Sequence, residues 1–423
     1  MNALKFCMVT TFYPPHSFGG DGIFVYRLAN ALARHGHTVH VVYDRDAFTA
    51  LADHSPSSSY PNHPNITLHP LSMGMGSVGT LDLLLSHQLG RPVSKRSRLK
   101  AILQQTGFDV IHFHNISLLG GPYVLTYGDA IKICTLHDYW FVCAMHVLWR
   151  FNREACAWRT CLACTLASHR PPQLWRYTGS IARAVRSVDA FLAPSNFSCH
   201  MHAAQGFPAP IRSFPHFLPE VEDPEPSGPD DQYRHPRPYF LFVGRLEKLK
   251  GVHVLLERFR TYRAADLLIV GTGVNETELR EKAKGLLHVH FLGWIEHHQL
   301  RTLYHRAIAV IVPSLCYETF GLVLIEAFAA RTPVIVHARG ALPEVVHTSG
   351  GGVMYRTDDE LQERMETLRT QPALRHQLGE QGYQGYLEHY SEARHLRRYY
   401  DLIDELRSVR GLREGGSRRE GLP

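Results

Sequence analysis

Two carboxylates stand eight residues apart in the segment Glu318-Thr-Phe-Gly-Leu-Val-Leu-Ile-Glu326, and between them only Thr319 is polar. An apolar run at 307–313 leads in, and a helical pattern at 322–330 leads out. Glu318 is therefore expected on the loop at a strand's carboxyl end, and Glu326 a turn or more inside the helix that follows. In open parallel sheets that edge receives ligands. The free N–H groups and partial positive charge of a helix start suit a phosphate. A carboxylate repels phosphate and is better placed to accept hydrogen bonds from hydroxyls. Together these features describe a site for a phosphorylated, hydroxyl-rich ligand, such as a sugar nucleotide. The plain alternative is a solvated Glu326 and a Glu318 that merely caps the helix. The apolar flanks of Glu326 (Leu324, Ile325, Ala327, Phe328) instead direct it into a cleft or a crowded interface.

A second charged group lies in Gly244-Arg-Leu-Glu-Lys-Leu-Lys-Gly251, again after an apolar strand, at 239–243. Arg245 can grip two phosphate oxygens and Lys250 adds a point charge, although a solvated turn would use the same residues. Near the start, Gly19-Gly20 follows a strand and opens a helix, which lets backbone approach a ligand. His137-Asp138 ends the run at 131–136, where an imidazole can donate to a hydroxyl or phosphate oxygen. Among 28 His, position alone singles out His137, with His114 a second candidate at the end of the preceding strand. Asp138 either accepts from a ligand hydroxyl or orients the imidazole. Cys143, Cys156, Cys161 and Cys164 form a thiol cluster that suits a structural zinc, or a set of small buried hydrophobes or a redox-labile loop.

The elements that position these groups alternate strand and helix. At 423 residues the chain is long enough for two or three domains. A net charge of +6 is too diffuse to argue nucleic acid, and eight Cys make no disulfide scaffold in a chain of this size. No apolar run approaches the ~20 residues of a membrane span, and the N-terminal apolar run is too short for a signal peptide, which together point to the cytoplasm. Residues 1–218 read as a first domain with an insertion at 143–164. Residues 219–238 read as a Pro-rich acidic linker, 239–392 as a second domain, 393–410 as a final helix and 411–423 as a disordered tail. Arg91, Lys95, Arg96, Arg98 and Lys100 cluster beyond a helix at 81–89. They read as a solvated face, or as a peripheral contact with anionic lipid.

Taken in order, Gly-Gly, the strand-end His, GRL-x3-KG and E-x7-E resemble the signature of retaining glycosyltransferases with two Rossmann-like domains, the GT-B fold, of the family 4 type. The resemblance implies an α/β fold in which two doubly wound domains face each other across a cleft and the C-terminal helix crosses back to the first. It implies transfer of a sugar from a nucleotide-diphosphate donor, a UDP-sugar by family frequency, to a hydroxyl of a glycan or lipid-linked acceptor in cell-surface polysaccharide synthesis. By carry-over Glu326 holds the ribose and Glu318 the donor sugar. The amides of Phe320, Gly321 and Leu322 hold the diphosphate with Arg245 and Lys250. Gly19-Gly20 borders the phosphates, and His137 reaches across from the first domain. No catalytic metal is implied. An epimerase or hydrolase of the same architecture, and a non-catalytic sugar-nucleotide-binding protein, are the alternatives.

Overall fold

The computed structural model describes residues 3–52, 60–74, 77–105, 107–156, 158–219 and 235–419. The first half builds a parallel sheet from Lys5–Val9 (β1), Thr38–Asp44 (β2), Ile66–Leu71 (β3), Val110–Phe113 (β4) and Ile131–Thr135 (β5). A small antiparallel hairpin, Trp149–Arg150 (β6) and Glu154–Ala155 (β7), interrupts it. Ala190–Ala193 (β8) and Ile211–Ser213 (β9) complete it. The strand order is β3-β2-β1-β4-β5-β8-β9. The second half repeats the plan with Tyr239–Val243 (β10), Asp266–Val270 (β11), Val289–Gly293 (β12), Val310–Val312 (β13), Val334–His337 (β14) and Gly352–Tyr355 (β15). Its order is β12-β11-β10-β13-β14-β15. In each sheet the order reverses beside the first strand, so a crevice opens at the carboxyl ends of β1 and β4, and again of β10 and β13.

The strands read as continuous apolar runs because both faces are covered. In β1, Phe6 and Met8 pack into one core with the helix Gly20–Arg34, while Cys7 and Val9 pack into the opposite one. In β10, Tyr239 and Leu241 face one core and Phe240 and Phe242 the other. The last helix, Glu392–Arg419, lays Leu396, Tyr399, Leu402, Ile403 and Leu406 into the core of the first sheet. The chain therefore returns to its first half, as expected. Tyr399 also bonds His112 Nδ1 at 2.9 Å.

Several local expectations change. The strand expected over 307–313 is only Val310–Val312, and the last strand of the first half is only Ile211–Ser213, with Leu218 left to bridge Ser391. Between the Cys-bearing segment and β8 the chain forms two short helical pieces, Leu174–Tyr177 and Ser180–Val185. The Thr178 hydroxyl between them bonds Trp175 O and Ser180 Oγ, a local alternative to the helix ladder. The final helix runs on through 411–419, where a disordered tail was expected. Glycine there lowers helix propensity by about 1 kcal/mol per residue without forbidding the helix. The linker expectation falls mainly on 220–234, outside the described residues.

Lys95 does not belong to the exposed basic cluster. It is 5% exposed and bonds Asp44 at 2.7 Å and Asp46 at 2.9 Å, with Asp82 at 3.9 Å. A buried ammonium needs such partners. Arg91, Arg96, Arg98 and Lys100 remain exposed. Among the described residues no helix is long and apolar enough to cross a membrane.

Candidate functional site

At the second sheet's switch point two loops lock together. Gly251 adopts φ 77°, and a Cβ there would stand 2.1 Å from the Pro313 carbonyl, so only glycine allows the approach. The Leu315 N–H bonds Leu249 O at 2.8 Å. Arg339 donates to Leu315 O, and His337 Nδ1 meets Ser314 O, which fixes the loop from a third side. This seating puts Lys250 Nζ 2.7 Å from Glu318 Oε1, and the Ser314 hydroxyl donates to the same oxygen at 2.6 Å. Burial pushes the Glu318 carboxyl up, but Lys250, Ser314 and Arg245 together outweigh it and hold the group below its ordinary range. Burial likewise pulls the Lys250 ammonium down, and Glu318 and Cys316 more than restore it. The pair is therefore charged at neutral pH. Arg245 is 56% exposed and reaches Glu247 at 2.8 Å.

The loop ends at Gly321, where no side chain caps the helix Leu322–Ala329. The start of this helix at Leu322 lies against the first half of the chain. Gly20 lies opposite, and a Cβ on Gly20 would come 2.7 Å from Leu322 Cδ1. One helical turn on, Glu326 accepts from Arg27 at 3.0 Å and from the Tyr304 hydroxyl at 3.1 Å. Glu326 is thus directed inward, as its apolar flanks indicated, and it meets the first half of the chain. Phe320 is buried against His216 and Tyr390.

The first sheet contributes a row of imidazoles. His137 Nε2 lies 3.0 Å from His114 Nδ1, and His137 Nδ1 lies 3.3 Å from His216 Nε2. Burial lowers His137 to about 4 against the opposing pull of Asp138, and it lowers His114 and His216 well below the ordinary value. Each neutral ring carries one N–H, so the bonds of the row run in a single direction. Both ring nitrogens of His137 are occupied in this arrangement. Donation to a ligand requires one of these links to open, which the sequence did not indicate. Asp138 does not orient His137. It accepts from the Trp140 N–H at 2.8 Å and from His146 Nδ1 at 2.7 Å, inside the Cys-bearing segment.

Thr319 joins the halves: its hydroxyl donates to His137 O at 2.8 Å, and its carbonyl accepts from Ser195 Oγ at 2.7 Å. Ser195 also caps the helix Asn196–Ala204, accepting from the Ser198 N–H. Glu344 accepts from the Asn196 and Phe197 N–H groups at 2.8 Å each. Sequence reasoning missed Arg27, Tyr304, Ser314, Glu344 and Asp21. Asp21 follows Gly20, bonds Asn115 and feels both Asp138 and Arg245, and burial raises its carboxyl. Arg27 carried a usable signal, because it is a lone cation on a buried, apolar helix face.

The four clustered thiols are all free and line one small, half-open hollow. Among the described residues, the metal-binding geometry instead falls on His235, Asp266 and His290. Arg237 already pairs with that Asp266, at 3.2 Å.

Known proteins carry the same architecture. Residues 18–220 match the family model described as Glycosyltransferase Family 4, and residues 230–385 match that of Glycosyl transferases group 1. A glycogen synthase of Mycobacterium tuberculosis is 28% identical over 372 residues, covering 83% of this chain and 82% of that protein. A phosphatidyl-myo-inositol mannosyltransferase of Mycobacterium leprae is 35% identical over 125 residues, 28% of this chain and 33% of that protein. Among solved structures, sucrose-phosphate synthase of Thermosynechococcus elongatus superposes with a TM-score of 0.72 at 20% identity, over 96% of this chain and all of that one. HepE of Anabaena, solved in complex with UDP-glucose, gives 0.66 at 15%, over 95% of this chain and 100% of that one. Two matched models spanning most of the chain and the doubly wound pair of sheets agree: the chain belongs to the GT-B glycosyltransferases of family 4 type. It is an enzyme of glycosyl transfer.

Proposed function

We propose that the chain transfers a hexosyl group, with retention of configuration, from a UDP-sugar to a hydroxyl of a glycan or lipid-linked acceptor in cell-surface polysaccharide synthesis. The observation that carries this reading is Lys250 on Glu318 at 2.7 Å, beside the uncapped start of the helix Leu322–Ala329 and facing Gly20. In this reading Lys250, Arg245 and the amides of Phe320, Gly321 and Leu322 hold the diphosphate, with Gly19-Gly20 along its border. They stabilise the charge that builds on the leaving nucleotide. Arg245 swings from Glu247 to do so. Glu318 accepts from donor-sugar hydroxyls, and Glu326 accepts from the ribose while Arg27 and Tyr304 hold it in place. His137 contacts the sugar from the first half.

A UDP donor is supported by the UDP-glucose complex of HepE. A lipid-linked acceptor is supported by the mannosyltransferase relative and by the helix Ser77–Leu89, which exposes Val78, Leu81, Leu84, Leu85 and Leu89 close to Arg91, Arg96, Arg98 and Lys100. Apolar residues beside cations suit an anionic bilayer surface. The test is to screen UDP- and GDP-sugars for thermal stabilisation, then to assay the hit with and without acceptor and read the product anomer by NMR. Stabilisation by a UDP-sugar and acceptor-dependent release of UDP with the donor's anomeric form is expected. Donor consumption without acceptor would favour an epimerase or hydrolase, and binding without turnover would favour a sugar-nucleotide-binding protein.

A further inference from the structure

The segment 143–167 has an organisation that the transfer site does not use. Cys143 precedes the β6–β7 hairpin, Cys156 follows it, and Cys161 and Cys164 stand three apart in the first turn of the helix Cys161–Ala167. Positions three apart on a helix share a face. All four thiols border one hollow, together with Met145, Trp149 and Arg150. Cys143 and Cys164 are buried, and Cys156 and Cys161 are half-buried.

The backbone is shaped around the sulfurs. Burial raises the Cys143 thiol, and the backbone N–H groups of Leu148, Met145 and Val147 oppose that rise without cancelling it. The Phe151 N–H donates to Cys164 Sγ at 3.4 Å. His146, Leu148, Phe151, Asn152 and His169 all adopt positive φ, and only Arg331 joins them among the described non-glycine residues. Side chains rarely adopt that conformation; at Phe151 it accompanies the N–H bond to sulfur, while the His146 and His169 N–H groups bond the carbonyls of Cys143 and Leu166. N–H groups directed at sulfur stabilise a thiolate more than a thiol. The segment is also too small to hold itself by burial. Trp158, Leu162 and Leu166 are exposed, and its internal cluster is confined to Tyr139, Cys143 and Leu148 with a few half-buried neighbours. Small units of this kind usually need a staple.

We propose that Cys143, Cys156, Cys161 and Cys164 bind one Zn2+ that fixes the hairpin and the following helix as a structural unit beside the cleft. Four soft thiolates select zinc, and a closed set of four is a structural rather than a catalytic site. In the described arrangement no three of the sulfurs lie within 4.8 Å of one another. Binding therefore draws in the less buried side chains, Cys156 above all, whose S–H donates to Trp158 O at 3.4 Å. Four thiol protons leave to solvent as four Zn–S bonds form, with no change of oxidation state. The unit packs against Tyr317, the neighbour of Glu318, so its rigidity bears on the wall of the transfer site.

The test uses the full chain, purified under reducing conditions and analysed for metal. About one equivalent of zinc is expected, since a structural site stays filled. Removing the metal with a chelator and adding Co2+ should give the intense thiolate-to-cobalt absorption of a tetrahedral sulfur site. Cys156→Ser and Cys161→Ser should lose the metal, while Cys199→Ser, outside the set, should keep it. If the first two fail to fold, the cobalt spectrum and the slowed reaction of the native thiols with a thiol reagent still decide the matter. Less than about a tenth of an equivalent, both as isolated and after incubation of the reduced chain with Zn2+, would overturn the proposal. So would a disulfide among the four in the reduced preparation.

Discussion

At the switch point of the second sheet the carboxyl edge carries formal charge, Lys250 on Glu318 at 2.7 Å. At the corresponding edge of the first sheet it carries uncharged imidazoles, His114, His137 and His216, in a hydrogen-bonded row. The wiring of the two sheets is alike, with the strand order reversing beside the first strand in each. Topology therefore makes two equivalent crevices, and side-chain chemistry makes them unequal. A charged edge suits a charged diphosphate. A neutral, directional row suits hydroxyls, and it can carry a proton only if one of its links opens.

The largest way to sharpen this contrast is to remove the charged edge. Lys250→Ala and Glu318→Ala should each lower donor turnover roughly 10²-fold or more, the scale for losing one charge-stabilising contact. His137→Asn should cost less and leave donor binding by thermal shift nearly intact. Near-normal turnover in both charge variants would undo the assignment of the second edge. Arg245→Ala should fall between, because its side chain starts from an exposed pair with Glu247.

Next in size is the join between the edges. Arg27→Leu leaves Glu326 inward-facing with only the Tyr304 hydroxyl as partner. Unfolding in urea should show a loss of about 3 kcal/mol, the scale for orphaning a buried charge. Restoring charge balance with Glu326→Gln should recover part of it. A change below about 0.5 kcal/mol, the level of an exposed position, would mean that the pair holds nothing together.

The pH dependence separates the edges further. His137, His114 and His216 have folded values below the ordinary 6.5, His137 at about 4. The unfolded chain then binds more protons between those values. Stability is full above about 6.5 and falls as pH drops through the window down to 4. Glu318 is shifted below 4.5, so the stability it contributes is present above 4.5 and is lost only at lower pH. Urea midpoints measured from pH 7.5 to 5.0 should decline, and His216→Asn should flatten the decline. The smallest effect belongs to the surface. Leu81→Glu with Leu85→Glu should change stability by less than about 0.5 kcal/mol yet weaken sedimentation with anionic vesicles. Unchanged sedimentation, or equal binding to neutral vesicles, would remove the lipid-surface reading.

Much of the fold was legible because both sheets are buried on two faces, which writes their strands as apolar runs. The Glu318 and Lys250 positions were legible for a related reason: each lies on the loop that leaves the carboxyl end of such a run, at Val312 and Val243. The partners of Arg27, Tyr304 and Glu344 were not, because each acts on a residue distant in the chain: the lone cation of the first helix marks Arg27 as unusual, but no local pattern encodes its partner Glu326, 299 positions away. Lys95 was misread for the same reason. Its neighbours in sequence are cations, while its neighbours in space are three aspartates.

By itself the sequence determined which stretches are strands and helices, since apolar period and helix signals are local. It also determined which loops carry charge at a strand's end. Only the tertiary structure decided that Lys250 meets Glu318, that Asp138 serves His146 rather than His137, and that both nitrogens of His137 are engaged. Those outcomes depend on the packing of elements that the chain brings together only after folding, where a few tenths of a nanometre separate a ligand contact from an internal one.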